Sequence, residues 1–84
     1  MKYHLKIIAG AEKDLQALQG HDFEAVKKKI SLLAENPRPF GCQKLTGDQG
    51  YRIRSGNFRV VYRVYDGAKE VVIYRVKHRR EVYR

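Results

Sequence analysis

Both prolines of the chain fall within one short stretch, Asn36-Pro37-Arg38-Pro39-Phe40-Gly41, and the hydrophobic period changes across it. Ahead of it, Tyr3, Leu5 and Ile7 alternate with Lys2, His4 and Lys6, the period-two pattern of a half-buried strand. From Ala11 the period lengthens. Leu15 and Leu18 repeat at helical spacing among Glu12, Lys13, Asp14 and Gln16, and Gly20 supplies a stop. A second helix is expected from an N-cap at Asp22, with Phe23, Val26, Ile30, Leu33 and Ala34 as its apolar stripe, ending at Asn36-Pro37. Lys27, Lys28 and Lys29 fall mostly on its outer face, as solvated surface. Beyond the prolines only strand signals follow: a short strand from Gln43 to Thr46, a turn at residues 47–50, then strands Tyr51 to Arg54, Phe58 to Tyr65 and Val71 to Val76 joined by Ser55-Gly56-Asn57 and Asp66-Gly67-Ala68. The turn at 47–50 matches neither glycine-rich phosphate-binding fingerprint. Residues 79–84 suffice for a single helical turn. The order β-α-α-β-β-β-β predicts an α+β fold, with two helices on one face of a small, mostly antiparallel sheet.

A chain of 84 residues is expected to make one domain, residues 1–84, with a small core. The single Cys42 has no disulfide partner in the chain and no neighbouring ligand types at zinc spacing. The carboxylates are scattered, with no cluster suited to a divalent ion, so neither metal nor other cofactor is expected. Apolar runs are short, Lys2 and Lys6 interrupt any signal-peptide core, and the basic residues follow strand rather than helix periods. These features favour a cytoplasmic protein without a membrane role.

Charge is unevenly distributed. Residues 51–84 carry ten Lys or Arg against three acids, a net +7, whereas residues 1–50 carry eight against six, a net +2. The alternation places Tyr51 and Ile53 on one side of their strand and Arg52 and Arg54 on the other. In the next strand Phe58, Val60, Tyr62 and Val64 oppose Arg59, Val61 and Arg63. One face is therefore apolar and the other cationic, and most of Tyr51, Phe58, Tyr62 and Tyr74 are assigned to the core. Arginines gathered on one face repel one another unless an anion lies across them, and the guanidinium forks onto phosphate and stacks on bases. Nucleic acid or an acidic protein is the partner that so basic a segment suggests.

The segments AEKDLQAL, LLAENPRPFGCQKLTG, YRIRSGNFRVVYRVYD and VKHRREVY, in that order, resemble the RelE/ParE superfamily of toxins from bacterial and archaeal toxin–antitoxin pairs over nearly the whole chain. The similarity is greatest to the RelE branch, whose members cleave messenger RNA in the ribosomal A site. The resemblance implies that Arg52, Arg54, Arg59, Arg79 and Tyr83 form the cleavage site. Lys44, Arg63, Lys77, His78 and Arg80 are expected to contact RNA around it. In RelE members the positions of Arg52 and Arg54 can be lysine. Both are arginine here, and arginine cannot act as a general base.

Metal-free cleavage by the adjacent 2′-hydroxyl needs a proton acceptor, charge stabilisation at phosphorus, and a proton donor to the departing 5′-oxygen. Within the site that the resemblance implies, Arg59 and Arg79 are expected to bind the scissile phosphate and Arg52 and Arg54 to hold the flanking backbone. Tyr83 either stacks on a base or moves a proton, and His78 is the other candidate for proton transfer. Implied partners are a RelB-like antitoxin, acidic where it meets the basic face, and the ribosome with its message. The alternatives are the ParE branch, which inhibits DNA gyrase without cleaving RNA, and a non-toxic RNA-binding module.

Overall fold

Seven elements run in the predicted order in the computed structural model, which describes residues 2–45, 50–78 and 80: β1 (His4–Ile7), α1 (Ala9–Gln16), α2 (Gly20–Leu33), β2 (Gln43–Lys44), β3 (Gly50–Ser55), β4 (Phe58–Tyr65) and β5 (Glu70–His78). They build one five-stranded sheet in the order β1-β5-β4-β3-β2. β2 to β5 pair antiparallel, each with the next in sequence, whereas β1 lies parallel to β5 and needs the intervening helices as a crossover. Those helices cover one face only. Ala11 and Leu15 of α1 and Val26, Ile30 and Leu33 of α2 meet Ile53, Val60, Tyr62, Val64, Val71, Ile73 and Val76 of the sheet, which closes the core.

Several expectations are corrected. Gly20 opens α2 instead of closing α1, which has already ended at Gln16; its φ of +52 lets the chain reverse there. The expected N-cap, Asp22, lies inside the first turn of α2, where its charge favours the positive end of the helix dipole, and Gln19 holds the cap position. β1 is exposed along its whole length, with Leu5 37% and Ile7 36% accessible, because it is an edge strand and the helices pack over β3, β4 and β5. β2 stops at Lys44; Thr46 and most of the turn expected at 47–50 lie outside the described residues. Of the four aromatics, most of them expected in the core, Tyr62 is fully buried and Tyr51 and Phe58 pack partly against it, while Tyr74 turns to the other side of the sheet.

A bulge in β5 causes one feature that simple alternation misses. Tyr62 pairs with Ile73 and Val61 with Arg75, so Tyr74 is an extra residue on β5. Ahead of it the odd positions Val71 and Ile73 face the helices; beyond it Val76 and His78 do, opposite Val60 and Phe58. Lys77 is thereby delivered to the face away from α1 and α2. Beyond the reach of β1, α1 protects the open edge of β5: the Asp14 carboxylate accepts the Val76 N–H at 2.8 Å and two Arg75 guanidinium bonds at 2.8 and 3.2 Å. Burial opposes ionisation of Asp14, but the bonds from Arg75 and Val76 outweigh it and hold its carboxyl below the usual range.

The proline loop is fastened at two points. The buried Tyr62 hydroxyl donates to the Pro37 carbonyl at 2.7 Å, and burial, with the nearby Cys42, pushes this phenol well up. Arg38 forks onto Asp66 in the β4–β5 turn at 2.7 and 3.2 Å and donates to the Tyr51 hydroxyl at 2.9 Å, while the Tyr3 hydroxyl donates to Asp66 at 2.8 Å. The Arg38 and Tyr3 bonds hold Asp66 down at about 2, and the same bond to Asp66 raises the Tyr3 phenol.

Candidate functional site

The face of the sheet away from α1 and α2 gathers the cations. Arg54 of β3 lies opposite Arg59 of β4, and Arg59 lies opposite Lys77 of β5, so three positive residues form one row across three strands. Arg52, two residues from Arg54 on the same face, extends the row toward the edge. Two guanidinium charges about 6 Å apart repel by about 3 kcal/mol at an effective dielectric near 20. Such a row therefore costs the free protein stability unless an anion is bound.

The row borders a recess of about 290 Å³ lined by Gly41, Gln43, Arg52, Arg54 and Arg59. Arg59 is its innermost member, only 8% exposed although it stands on the face away from α1 and α2. Arg52 is oriented by β2: Gln43 pairs with it in the ladder and accepts its Nη2 at 2.7 Å. Arg54 is exposed and reaches the Gly56 carbonyl at 3.4 Å. Gly41 lets the chain turn from the proline loop into β2 with a φ of +96, a conformation that, rather than any lack of space, calls for glycine there. Gln43 and Gly41 escape sequence reasoning because neither carries charge. Only the pairing of Gln43 with Arg52 identifies its role.

The remaining site residues divide. Lys77 joins the arginine row through the bulge. Arg63 is on the same face but farther along β4, where its guanidinium lies 5.3 Å from the Tyr74 ring centre, beside Tyr65, whose hydroxyl is 3.4 Å from that of Tyr74. Lys44 has the opposite parity to Gln43; it pairs with Tyr51 and lines a separate recess of about 550 Å³ with Arg38, Tyr65 and Asp66. His78 faces away from the row: its ring stands edge-on to Phe58 at 5.3 Å and its Nδ1 accepts the Arg80 N–H at 3.3 Å. Arg80 is exposed just past β5. Arg79 and Tyr83 lie outside the described residues. Among the described residues no group of His, Cys, Asp or Glu could hold a metal ion, and no helix is long and apolar enough to cross a membrane.

A sheet with two helices on one face and an arginine row on the other defines a small α+β protein with a cationic sheet face. Comparison with known proteins is consistent with that description. The family described as the ParE toxin of the type II toxin–antitoxin system parDE matches residues 5–83. The RelE1 protein of Methanocaldococcus jannaschii, a toxin by assignment, is 33% identical over 88 aligned residues that cover 100% of this chain and 98% of RelE1. Among solved structures, the toxin–antitoxin complex RelBE2 from Mycobacterium tuberculosis matches with a TM-score of 0.82 and 27% identity, over 93% of this chain and 99% of that one. The archaeal RelE–RelB complex from Pyrococcus horikoshii OT3 matches with a TM-score of 0.80 and 30% identity, over 94% and 97%. The chain belongs to the RelE/ParE superfamily of type II toxins, in its RelE-like branch.

Proposed function

We propose that this toxin arrests translation as a metal-independent, ribosome-dependent endoribonuclease that cleaves messenger RNA in the A site. The observation that carries the reading is the row Arg52, Arg54, Arg59 and Lys77 on a sheet face that neither α1 nor α2 covers. In the reaction the 2′-oxygen attacks phosphorus, the bond to the 5′-oxygen breaks, and a 2′,3′-cyclic phosphate and a 5′-hydroxyl result. Arg59, with Arg79, binds the non-bridging oxygens and stabilises the extra charge of the transition state. Arg52, held by Gln43, and Arg54 grip the neighbouring phosphates. Tyr83 stacks on a base or carries a proton. Lys44, Arg63, His78 and Arg80 contact RNA outside the row. His78 cannot serve the reacting phosphate from its position against Phe58.

An incomplete acid–base set explains why the ribosome would be required: it would supply the geometry that naked RNA lacks. The antitoxin partner follows from the RelE–RelB complexes, and an acidic segment lying over the arginine row would neutralise it. The cytoplasm is where message and ribosome are met. Purified chain added to a translation reaction and to a gyrase supercoiling reaction separates the two branches. Translation arrest at low concentration with unimpaired supercoiling is expected, and the reverse result would assign the ParE-type target.

A further inference from the structure

We infer that Lys77 is the general acid that protonates the departing 5′-oxygen, a role that rests on the cleavage reading above. The reaction must deliver one proton to that oxygen, because an alkoxide with a conjugate-acid pKa near that of water, about 16, is a poor leaving group. The described row offers four side chains. Three are arginines, which keep their protons under all ordinary conditions and can only stabilise charge. Lys77 is the fourth, and an ammonium group can give up a proton and regain it from solvent.

Its position fits the task. Lys77 pairs with Arg59 in the β4–β5 ladder, on the side of Arg59 away from Arg54, so a phosphate held at Arg59 lies between Arg54 and Lys77. The four-carbon stem, about 6 Å long, spans the spacing of neighbouring strands, about 4.8 Å. The bulge at Tyr74 decides this placement. Uninterrupted alternation from Ile73 would put Lys77 on the core side of the sheet and turn His78 toward the arginines; the extra residue exchanges them. His78 is thereby removed from competition and lies against Phe58. The charged groups around Lys77 are Arg59 across the ladder and Asp14 at the edge of α1, whose carboxylate senses the lysine but bonds Arg75 and the Val76 N–H.

In the step, the 2′-oxygen forms its bond to phosphorus, the P–O5′ bond breaks, and the Lys77 ammonium proton passes to O5′, leaving a neutral amine that water reprotonates. The test uses short messages on programmed ribosomes, one all-oxygen and one with sulfur replacing the scissile 5′-oxygen. A thiolate, with a thiol pKa near 8.5, departs without protonation. Lys77→Arg keeps the charge but cannot transfer a proton. It should cleave the all-oxygen message about 10²- to 10⁴-fold more slowly than wild type, yet cleave the sulfur message within about tenfold of it. Arg59→Gln should be slow on both, and circular dichroism checks that each variant is folded. Wild-type speed of Lys77→Arg on the all-oxygen message, or equal slowing on both messages, would overturn the assignment while leaving the cleavage reading intact. Failure of the wild type to cleave either message would overturn both.

Discussion

Removing one oxygen from the core, Tyr62→Phe, tests whether the proline loop is fastened from within the sheet. The ring is fully buried and stacks on Tyr51 with centroids 5.7 Å apart, and phenylalanine preserves both relations. The 2.7 Å bond from the hydroxyl to the Pro37 carbonyl is lost, together with the weaker interaction of the hydroxyl with the Cys42 thiol. Pro37 is itself buried, so its carbonyl is left without its donor where water does not reach. An intact hydrogen bond contributes about 1 kcal/mol net, whereas a stranded buried acceptor costs about 1–3 kcal/mol. The expected destabilisation is therefore about 2 kcal/mol, which for a domain of this size lowers Tm by about 10 °C. Thermal and urea unfolding followed by circular dichroism measure it, and the urea slope should be unchanged because the surface exposed on unfolding is the same. Hydrogen exchange adds a local readout: the Cys42 N–H, which donates to Pro39 within the loop, should exchange faster relative to core amides. A loss below about 0.5 kcal/mol with unchanged Cys42 exchange would show that the Arg38–Asp66 clip alone fixes the loop.

Other consequences are equally open to measurement. Asp66 has a folded pKa of about 2 against about 3.9 unfolded, so its contribution is present above about pH 4 and is lost as pH falls toward 2; Asp14, also depressed, acts in the same direction. Acid titration of unfolding should be flatter in an Asp14→Asn/Asp66→Asn double variant than in wild type, and parallel curves would contradict the shifts. Arg54→Gln relieves repulsion in the row, so it should raise Tm at low ionic strength, lose that advantage at about 1 M salt, and weaken RNA cleavage. A lower Tm would mean that Arg54 is a structural residue. Gly41→Ala forces a side chain into a φ of +96 and should cost about 1 kcal/mol or more in urea unfolding despite the open space around it; no change would indicate that the loop relaxes freely.

The fold was largely legible because its signals are local. The proline pair separates helical from strand periods, and alternation in β3 and β4 sorts Ile53, Val60, Tyr62 and Val64 from Arg52, Arg54 and Arg59. Tertiary facts were hidden. The exposure of β1 follows from its place at the sheet edge, which Tyr3, Leu5 and Ile7 do not reveal. The bulge at Tyr74 leaves no mark in the pattern VVIYRVKH, yet it determines whether Lys77 or His78 joins the site. Gln43 shows its part only once the β2–β3 register is known. Asp14 reads as an ordinary helix carboxylate until the open edge of β5 is seen beside it.

The central claim is that the arginine row positions and stabilises a scissile phosphate. Cleavage of a message on programmed ribosomes, with the product ends identified, tests it most directly. The wild-type chain should yield 2′,3′-cyclic phosphate and 5′-hydroxyl ends without added metal beyond what the ribosome itself requires, and folded Arg59→Gln should slow the reaction by about 10²-fold or more. Unimpaired cleavage by Arg59→Gln, or products ending in a 5′-phosphate, would contradict the account.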